Sequence, residues 1–402
     1  KNNLMSKPFV TFEDFMSLPL FFCHTIGLDP YQTVTDRSSV IKLAANLILQ
    51  IVNLNFCFSM ELLFLYECYK NNENFIKACM VMAFIGFVIV GELKMITVWR
   101  QRHQLDGLVQ EMKSIFPPVD DEHQQEFQVD RYVKRTRWIM KFLISLFLTL
   151  IITYNLFAIV QFLIQRYVLQ IPGVRMAMPY TEMCLWSTDT MLGFGSMYVM
   201  QAVAGYTCVT CQLSSDLLIY GIVMQAIMHF DYLSRTVEGI QVSKESATTN
   251  FELLLKLIAY HDKLLGTTDV INEVFGFSLL INFISSSVLV CFLGFQISIG
   301  LSPELICKLT IYLAAAIMEI YLLCYFSDAL IVASERVASA VYQMNWFDAD
   351  QRFKKMLITI TIRAQKPVFL TATVFLDISM ETMTTFLQMS YRFFCLIRTM
   401  YL

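Results

Sequence analysis

The sequence has 402 residues, of which 56% are hydrophobic and only 16% are charged, and its formal net charge at pH 7 is −3. Soluble domains average about 45–50% apolar and about 25% charged residues, so the composition excludes an ordinary soluble domain. The slightly acidic balance also excludes a basic nucleic-acid-binding surface. Several apolar runs of roughly 18 residues or more indicate an all-α polytopic membrane protein.

The N-terminal segment, residues 1–38, is too mixed in composition to span a membrane. Its residues Phe9, Phe12, Phe15, Leu18 and Phe22 recur at helical spacing, which is typical of an amphipathic helix. Two interpretations remain open. The segment lies on the membrane surface, or it packs as an arm against the helical bundle.

Residues 39–332 contain six apolar runs that predict transmembrane helices. Their approximate bounds are 40–65, 75–98, 139–168, 190–230, 276–299 and 305–332. The fourth and sixth runs continue the helical pattern beyond the thickness of a membrane, and an apolar stripe precedes the fifth. Because such stripes outside lipid need a packing partner, we predict an anchor bundle on one side, to which residues 333–367 contribute.

The last stretch, residues 368–402, predicts a seventh transmembrane helix. Charged and polar side chains interrupt its apolar pattern at Asp377, Glu381, Gln388, Arg392 and Arg398. Charged residues at membrane depth usually face the interior of a bundle or a water path. The interpretation is therefore a helix that lines a pore.

The distribution of Lys and Arg predicts the orientation. The connections after the second, fourth and sixth spans are rich in basic residues, whereas the opposite loops contain few. Basic loops remain in the cytoplasm. With seven spans, the N-terminus is predicted to be cytoplasmic and the C-terminus extracellular, the reverse of a G-protein-coupled receptor.

The C-terminal quarter resembles the insect odorant receptors. The pattern is Tyr342-x-x-x-Trp346, then Arg363-x-Gln365-x-Pro367, and then Phe375, Ser379 and Ser390-Tyr391. The Thr-Tyr signature of the related gustatory receptors is absent at the end of the chain. The loop between residues 235 and 276 is too short for the insertion of the shared co-receptor, Orco. The chain therefore resembles a ligand-tuned subunit.

The resemblance implies a ligand-gated, non-selective cation channel in the plasma membrane of olfactory sensory neurons. Ligand-tuned subunits of this family assemble with Orco in a heterotetramer, and the seventh helix of each subunit lines the central pore. A small volatile odorant binds in the outer half of the bundle, and no cofactor is implied. A gustatory-type homotetramer and a membrane transporter are the alternatives.

Two groups of residues are predicted from this architecture to line the pore. Asp377 and Glu381 are four residues apart, hence on one face of a helix, where they would concentrate cations. The alternative is that they pair with basic residues of the anchor bundle. Near the end of the helix, Phe394, Ile397 and Arg398 would form the constriction that gates the pore in this family, although Arg398 departs from an apolar constriction.

The odorant pocket is predicted in the outer halves of spans two, three, four and six, since a volatile ligand needs an apolar cavity with few polar groups. The alternative for each residue is an ordinary core or lipid-facing position. The candidates are Met80, Phe84, Phe87, Tyr154, Phe157, Gln161, Phe194, Met197, Gln201, Tyr312, Met318 and Tyr321.

Four residues of the C-terminal pattern are assigned to assembly. Tyr342, Trp346, Gln365 and Pro367 are predicted to hold the anchor bundle rather than to contact ligand. Pro367 disfavours the α conformation at the residue before it, so that the last helix can begin in a new direction.

An enzyme is not expected. The five histidines form no pair at metal-ligand spacing and no triad-like cluster, and no glycine-rich phosphate loop is present. Cys208 and Cys211 have a metal-like spacing but lie in an apolar run without a second pair, so no metal site is predicted.

Overall fold

The computed structural model describes residues 9–71, 75–171, 177–180, 183–242, 247–299, 303–373 and 376–401. These residues form eleven α-helices, a π-helical turn at Ile164–Val168 and a two-stranded hairpin. The elements are α1 (Phe12–Thr25), α2 (Arg37–Lys70), α3 (Phe75–Arg100), α4 (Arg102–Ile115), α5 (Asp121–Glu126), α6 (Val129–Leu163), α7 (Met191–Glu238), α8 (Ala247–Ser298), α9 (Pro303–Gln343), α10 (Gln351–Ala364), β1 (Leu370–Ala372), β2 (Leu376–Ile378) and α11 (Met380–Tyr401).

Six helices of the described chain, α2, α3 and α6 to α9, are long and apolar enough to cross a membrane. They correspond to the six predicted runs, and the prediction of a helical polytopic membrane fold is confirmed. α11 has 22 residues, enough for roughly 33 Å of helix. It is not among those six helices, because its sequence is amphipathic and includes three charged residues.

α7 is the central helix of the bundle. It runs for 48 residues without a proline and contacts α1, α2, α3, α6, α8 and α9. Thr190 caps its N-terminus by accepting a hydrogen bond from the backbone of Gly193 at 3.1 Å. Every residue from 207 to 230 is buried, so this part of α7 is surrounded by protein rather than by lipid.

α1 packs against the bundle. Phe12, Phe15 and Met16 are buried, and the helix contacts α6 and α7. Its approach to α7 is close at Gly221, where a Cβ would lie only 2.9 Å from the sulfur of Met16. Of the two interpretations of the N-terminal segment, the structure therefore favours the packed arm.

At one end of the bundle, α4 packs against α8, and α10 packs against α8 and α9. α10 begins at the Asp350 cap, which accepts a hydrogen bond from the backbone of Phe353 at 2.9 Å. The helix buries Phe353, Leu357 and Ile360 along one face. These helices and the adjoining ends of α8 and α9 form the anchor bundle.

The predicted helix over residues 368–402 is wrong in its first third, because α11 begins only at Met380. β1 and β2 instead form an antiparallel hairpin in which Leu370 is paired with Ile378. Side chains of α8 and α9 hold this backbone. The Ser327 hydroxyl donates to the Ile378 carbonyl at 2.6 Å and accepts from the Leu370 amide at 3.2 Å. Asn272 accepts from the Thr371 amide at 3.0 Å. Tertiary hydrogen bonds thus replace those that a helix would have made.

Candidate functional site

An internal cavity of about 60 Å³ lies where α2, α3, α6, α7 and α9 meet. Its wall is almost entirely apolar and aromatic. The residues that line it are Leu54, Cys57, Phe58, Glu61, Phe84, Phe87, Val88, Leu150, Ile151, Tyr154, Tyr180, Gln201, Ala204, Gly205, Cys208, Val209 and Tyr312.

Five aromatic rings form the frame of this cavity. Phe84 packs edge-on against Tyr154 and Tyr180, with ring centroids 5.5 and 5.8 Å apart. Tyr154 and Tyr180 are stacked at 5.8 Å, and Phe87 meets Tyr312 edge-on at 5.4 Å. Edge-to-face and offset-stacked pairs are the favoured arrangements of aromatic rings. The frame is therefore well packed without being filled.

A few polar atoms face this apolar interior. The hydroxyl groups of Tyr154 and Tyr312 and one carboxylate oxygen of Glu61 are buried and have no hydrogen-bond partner among the described residues. Gln201 accepts a hydrogen bond from the backbone of Tyr180 at 3.2 Å. Since buried polar groups are normally paired, the two hydroxyls can orient a ligand that offers one or two hydrogen bonds.

The structure brings five of the twelve predicted pocket residues together around this cavity: Phe84, Phe87, Tyr154, Gln201 and Tyr312. The side chain of Met80 lies outside the described part. The other six do not line the cavity, and they are Phe157, Gln161, Phe194, Met197, Met318 and Tyr321.

Helical phase separates Tyr321 from the cavity, whereas depth along the helix separates three of the others from it. Tyr321 lies nine residues after Tyr312, about two and a half turns, and therefore on the opposite face of α9. The ring of Phe157 is turned to Lys308, whose ammonium lies 4.8 Å from its centroid. Gln161 lies about two turns beyond Tyr154 along α6. Phe194 and Met197 precede Gln201 by one to two turns.

Two parts of the cavity wall were not predicted from the sequence. One is contributed by α2, and the other is Tyr180, which we call the lid. α2 contributes Leu54, Cys57 and Glu61, and Tyr180 comes from the segment before α7. Glu61 carried a usable signal, because an acidic residue inside an apolar run of a membrane helix is rare and marks a polar interior. Tyr180 carried none, since its position depends on the fold of a connecting segment.

A cluster of three charged side chains lies deeper in the bundle. Lys94 on α3 contacts both oxygens of Asp216 on α7 at 2.9 and 3.0 Å, and Glu319 on α9 at 2.6 Å. All three side chains are at most 5% exposed. Each interrupts an apolar run, so the rarity of charge in a membrane helix was again an available signal.

The charged cluster lies on the same helix faces as the cavity. Lys94 follows Phe87 by seven residues, and Glu319 follows Tyr312 by seven. Seven residues are about two turns, or roughly 10 Å. α3 and α9 thus present aromatic groups at the level of the cavity, and α3, α7 and α9 present charged groups at the next level.

α11 exposes a polar stripe, consisting of Glu381, Thr385, Gln388, Arg392 and Thr399. At about 100° per residue, these residues lie within one narrow sector. All five side chains are exposed among the described residues, so this sector is accessible to water.

The predicted pore residues do not share one face of α11. Asp377 lies in β2, so the prediction that it shares a helical face with Glu381 is wrong. Phe394 and Ile397 are half-buried on the side opposite Glu381, and Phe394 approaches α8 near Gly294. Arg398 is exposed, at roughly 100° from the polar stripe. Glu381 is the predicted pore residue that lies on that stripe.

An apolar groove of about 470 Å³ crosses the anchor bundle between α9 and α10. It is lined by three of the four predicted assembly residues, Tyr342, Trp346 and Gln365, whereas Pro367 lies outside it. Tyr342 is 80% exposed, and Ile358 and Ile362 are each 60% exposed. Exposed apolar patches of this kind mark contact surfaces.

Comparison with known proteins gives a consistent result. The family model described as "7tm Odorant receptor" matches residues 74–391. Odorant receptor 67a of Drosophila melanogaster is 38% identical over 98% of this chain and 97% of its own length. Odorant receptor 85c of the same organism is 36% identical over 96% of this chain and 99% of its own length.

Solved structures share the fold at much lower identity. The structure of the insect olfactory receptor OR5 from Machilis hrabei in complex with eugenol superposes with a TM-score of 0.78 at 15% identity, covering 97% of this chain and 98% of that one. The structure of the same receptor described without eugenol gives a TM-score of 0.77.

Proposed function

The chain belongs to the insect odorant receptor family, and from that premise we propose that it is the odorant-binding subunit of a ligand-gated, non-selective cation channel. In this proposal the subunit assembles with Orco in the plasma membrane of olfactory sensory neurons. The N-terminus and the anchor bundle are cytoplasmic, and the C-terminus is extracellular.

The observation that carries the proposal is the aromatic cavity. It is lined almost wholly by apolar groups and carries two tyrosine hydroxyls without a partner among the described residues, which suits a small hydrophobic volatile with one polar group. OR5 of Machilis hrabei has the same fold and has been solved with eugenol. A ligand of that general kind is consistent with this cavity.

The size of the cavity implies that its wall moves when ligand enters. A cavity of about 150 Å³ accommodates benzene, whereas this one measures about 60 Å³. Tyr180 is the side chain best placed to move, because it comes from a connecting segment rather than from a transmembrane helix. Ligand binding would then favour a different packing of the five rings, which is the kind of differential contact that shifts a conformational equilibrium.

The pore and the assembly surface complete the proposal. The polar stripe of α11 faces the shared lumen, with Glu381 near its inner mouth, where a carboxylate attracts cations. The groove between α9 and α10 receives the anchor bundle of a neighbouring subunit. This accounts for the ring of Tyr342, which lines the groove and is 80% exposed in the single chain.

The test is whole-cell current in a heterologous cell that expresses this chain alone or together with Orco, with a panel of volatiles applied. We expect an odorant-evoked cation current only when both subunits are present. Current from this chain alone would support the gustatory-type homotetramer, and uptake of labelled solute without current would support a transporter. Surface-expressed protein that gives no current with Orco would contradict the proposal.

A further inference from the structure

A second cavity, of about 210 Å³, lies between α3 and α8 and reaches inward to α7 and α9. It is larger than the aromatic cavity, and the ring of Phe87 borders both. The backbone carbonyl of Phe87 accepts a hydrogen bond from the Gln212 amide at 3.0 Å, which fixes this turn of α3. The two cavities are therefore neighbours that share Phe87 in their linings.

The inner wall of the second cavity contains a donor without an acceptor. Asn282 on α8 is 1% exposed, and its side-chain nitrogen has no hydrogen-bond partner among the described residues. Gln212 uses its own amide on Phe87, and Glu319 accepts from Lys94 at 2.6 Å. Leaving a buried amide donor unpaired is costly, so Asn282 is placed to bind an acceptor that enters the cavity.

The outer rim of the cavity is apolar and faces away from the bundle. Met82, Ile89 and Val288 lie on this rim and are 42–52% exposed. Because α3 and α8 are membrane-spanning helices, this rim meets the hydrocarbon of the bilayer, in which a hydrophobic volatile concentrates. The cavity thus combines an apolar entrance with polar side chains at its inner end, where Asn282 offers a donor that is unpaired among the described residues.

We propose that the second cavity is a binding chamber for a volatile ligand that carries a carbonyl acceptor, such as an ester or a ketone. The Asn282 amide donates a hydrogen bond to the ligand carbonyl, and the alkyl part lies against Phe87 and the open face of Gly86. This inference rests on the proposed function and specifies the class of ligand. Rotation of the Phe87 ring would join the chamber to the aromatic cavity.

The chamber can be probed without recording current. In Ser286→Cys, a thiol replaces a cavity-lining hydroxyl that is 4% exposed, and its modification by methyl methanethiosulfonate is followed by mass spectrometry in nanodiscs. Buried Cys291, five residues along α8 and outside the cavity lining, is an internal reference. We expect butyl acetate to slow the modification at least fivefold, and octane and heptylamine, each with the same number of heavy atoms, to slow it less than twofold.

Two further changes are made in the Ser286→Cys background. Asn282→Leu removes the unpaired donor at similar volume and should abolish the advantage of butyl acetate over octane. Gly86→Leu fills the chamber, since a Cβ at this position meets no atom within 4 Å, and should slow modification without any ligand. Gly195→Leu, which is equally open but lies outside the second cavity, is the matched control and should behave like the parent.

Three results would overturn the inference. They are the absence of protection by butyl acetate, equal protection by octane, and stronger protection by heptylamine, which would show that the chamber selects a donor or a cation. Because the measurement needs neither Orco nor an open channel, its outcome is independent of the current recordings that test the proposed function.

Discussion

The aromatic cavity and the charged cluster lie on the same faces of α3, α7 and α9, about two helical turns apart, yet their packing differs. Phe87 and Tyr312 meet edge-on, with ring centroids 5.4 Å apart, at the wall of a space that is not filled. Lys94 and Glu319, one heptad further along the same helices, are in direct contact at 2.6 Å. Position along the bundle therefore separates a region that can change its packing from one that cannot.

The difference follows from what each region loses when it deforms. Displacing an aromatic ring exchanges one set of weak, non-directional contacts for another. Separating Lys94 from Asp216 leaves an uncompensated charge in an apolar interior, which is far more costly. We therefore expect the cluster to set the spacing of three helices and the cavity next to it to be the more deformable region.

The largest effect is expected for Lys94→Met. The variant leaves Asp216 and Glu319 buried without their cation, and breaking a buried ion pair costs about 3–5 kcal/mol of folding free energy. We expect little monodisperse protein by fluorescence-detected size-exclusion chromatography and little surface receptor. Lys134→Met is the control, since its pair with Asp130 is exposed and such pairs contribute about 0–1 kcal/mol. Equal behaviour of both variants would show that the cluster does not hold the helices.

An intermediate effect is expected for Gly205→Ala in the cavity. A Cβ at this position would lie 2.3 Å from the Tyr180 hydroxyl oxygen, so the lid must shift. We expect normal surface expression and a change of about tenfold in the half-maximal odorant concentration, equivalent to about 1.4 kcal/mol. Gly195→Ala, where the added Cβ meets open space, should leave the dose–response curve unchanged. Misfolding of Gly205→Ala would mean that the cavity is as rigid as the cluster.

A smaller effect is expected for Glu319→Gln. It removes one of two carboxylates and leaves Lys94 with Asp216, whose two oxygens lie 2.9 and 3.0 Å from the ammonium. Because one positive and one negative charge remain paired, we expect a loss of about 1 kcal/mol or less in thermal unfolding, the net value of a typical hydrogen bond. A loss as large as that of Lys94→Met would show that charge balance is not what stabilises the cluster.

The smallest effect is expected outside the membrane, at the contact between Asp14 of α1 and Arg137 of α6, 2.5 Å apart. Burial opposes ionisation, but hydrogen bonds from Thr11 and Arg137 outweigh it and hold the pKa of Asp14 below its ordinary value of 3.8. The contact therefore contributes above the unfolded-state pKa and is lost as the pH falls through the lower folded-state pKa.

Asp14→Asn tests this contact. Both side chains are more than one third exposed, so the contribution is at most about 1 kcal/mol. Proteolysis of the N-terminal arm should become faster at acidic pH in the parent and should depend less on pH in the variant. An equal pH dependence in both proteins would assign the effect to another group.

The sequence predicted the elements better than their contacts. The six long helices were predictable because uninterrupted apolar runs have few alternatives in a membrane protein. The hairpin before α11 was not, since Asn272 and Ser327, far away in sequence, satisfy its backbone. The outer half of the sixth span likewise offered both Tyr312 and Tyr321 as pocket residues, although helical phase puts only Tyr312 there.

The charged cluster was predictable but not predicted. Lys94, Asp216 and Glu319 each interrupt an apolar run, which is the pattern that identified the polar residues of the last helix. A single sequence does not show that these three residues are in contact. Three charges on three helices can be paired in several ways, and each can lie at several depths in the membrane.

α9 is one uninterrupted helix of 41 residues that contributes to three of the sites described above. Tyr312 meets the cavity, Glu319 the charged cluster, and Ser327 the hairpin that precedes α11. One residue inserted between Tyr312 and Ser327 would rotate the two ends by about 100° relative to each other and separate them by a further 1.5 Å or so. A substitution in this interval changes one contact at a time, whereas an insertion or deletion changes all of them together. The number of residues between Tyr312 and Ser327 is therefore more strongly constrained than their identity.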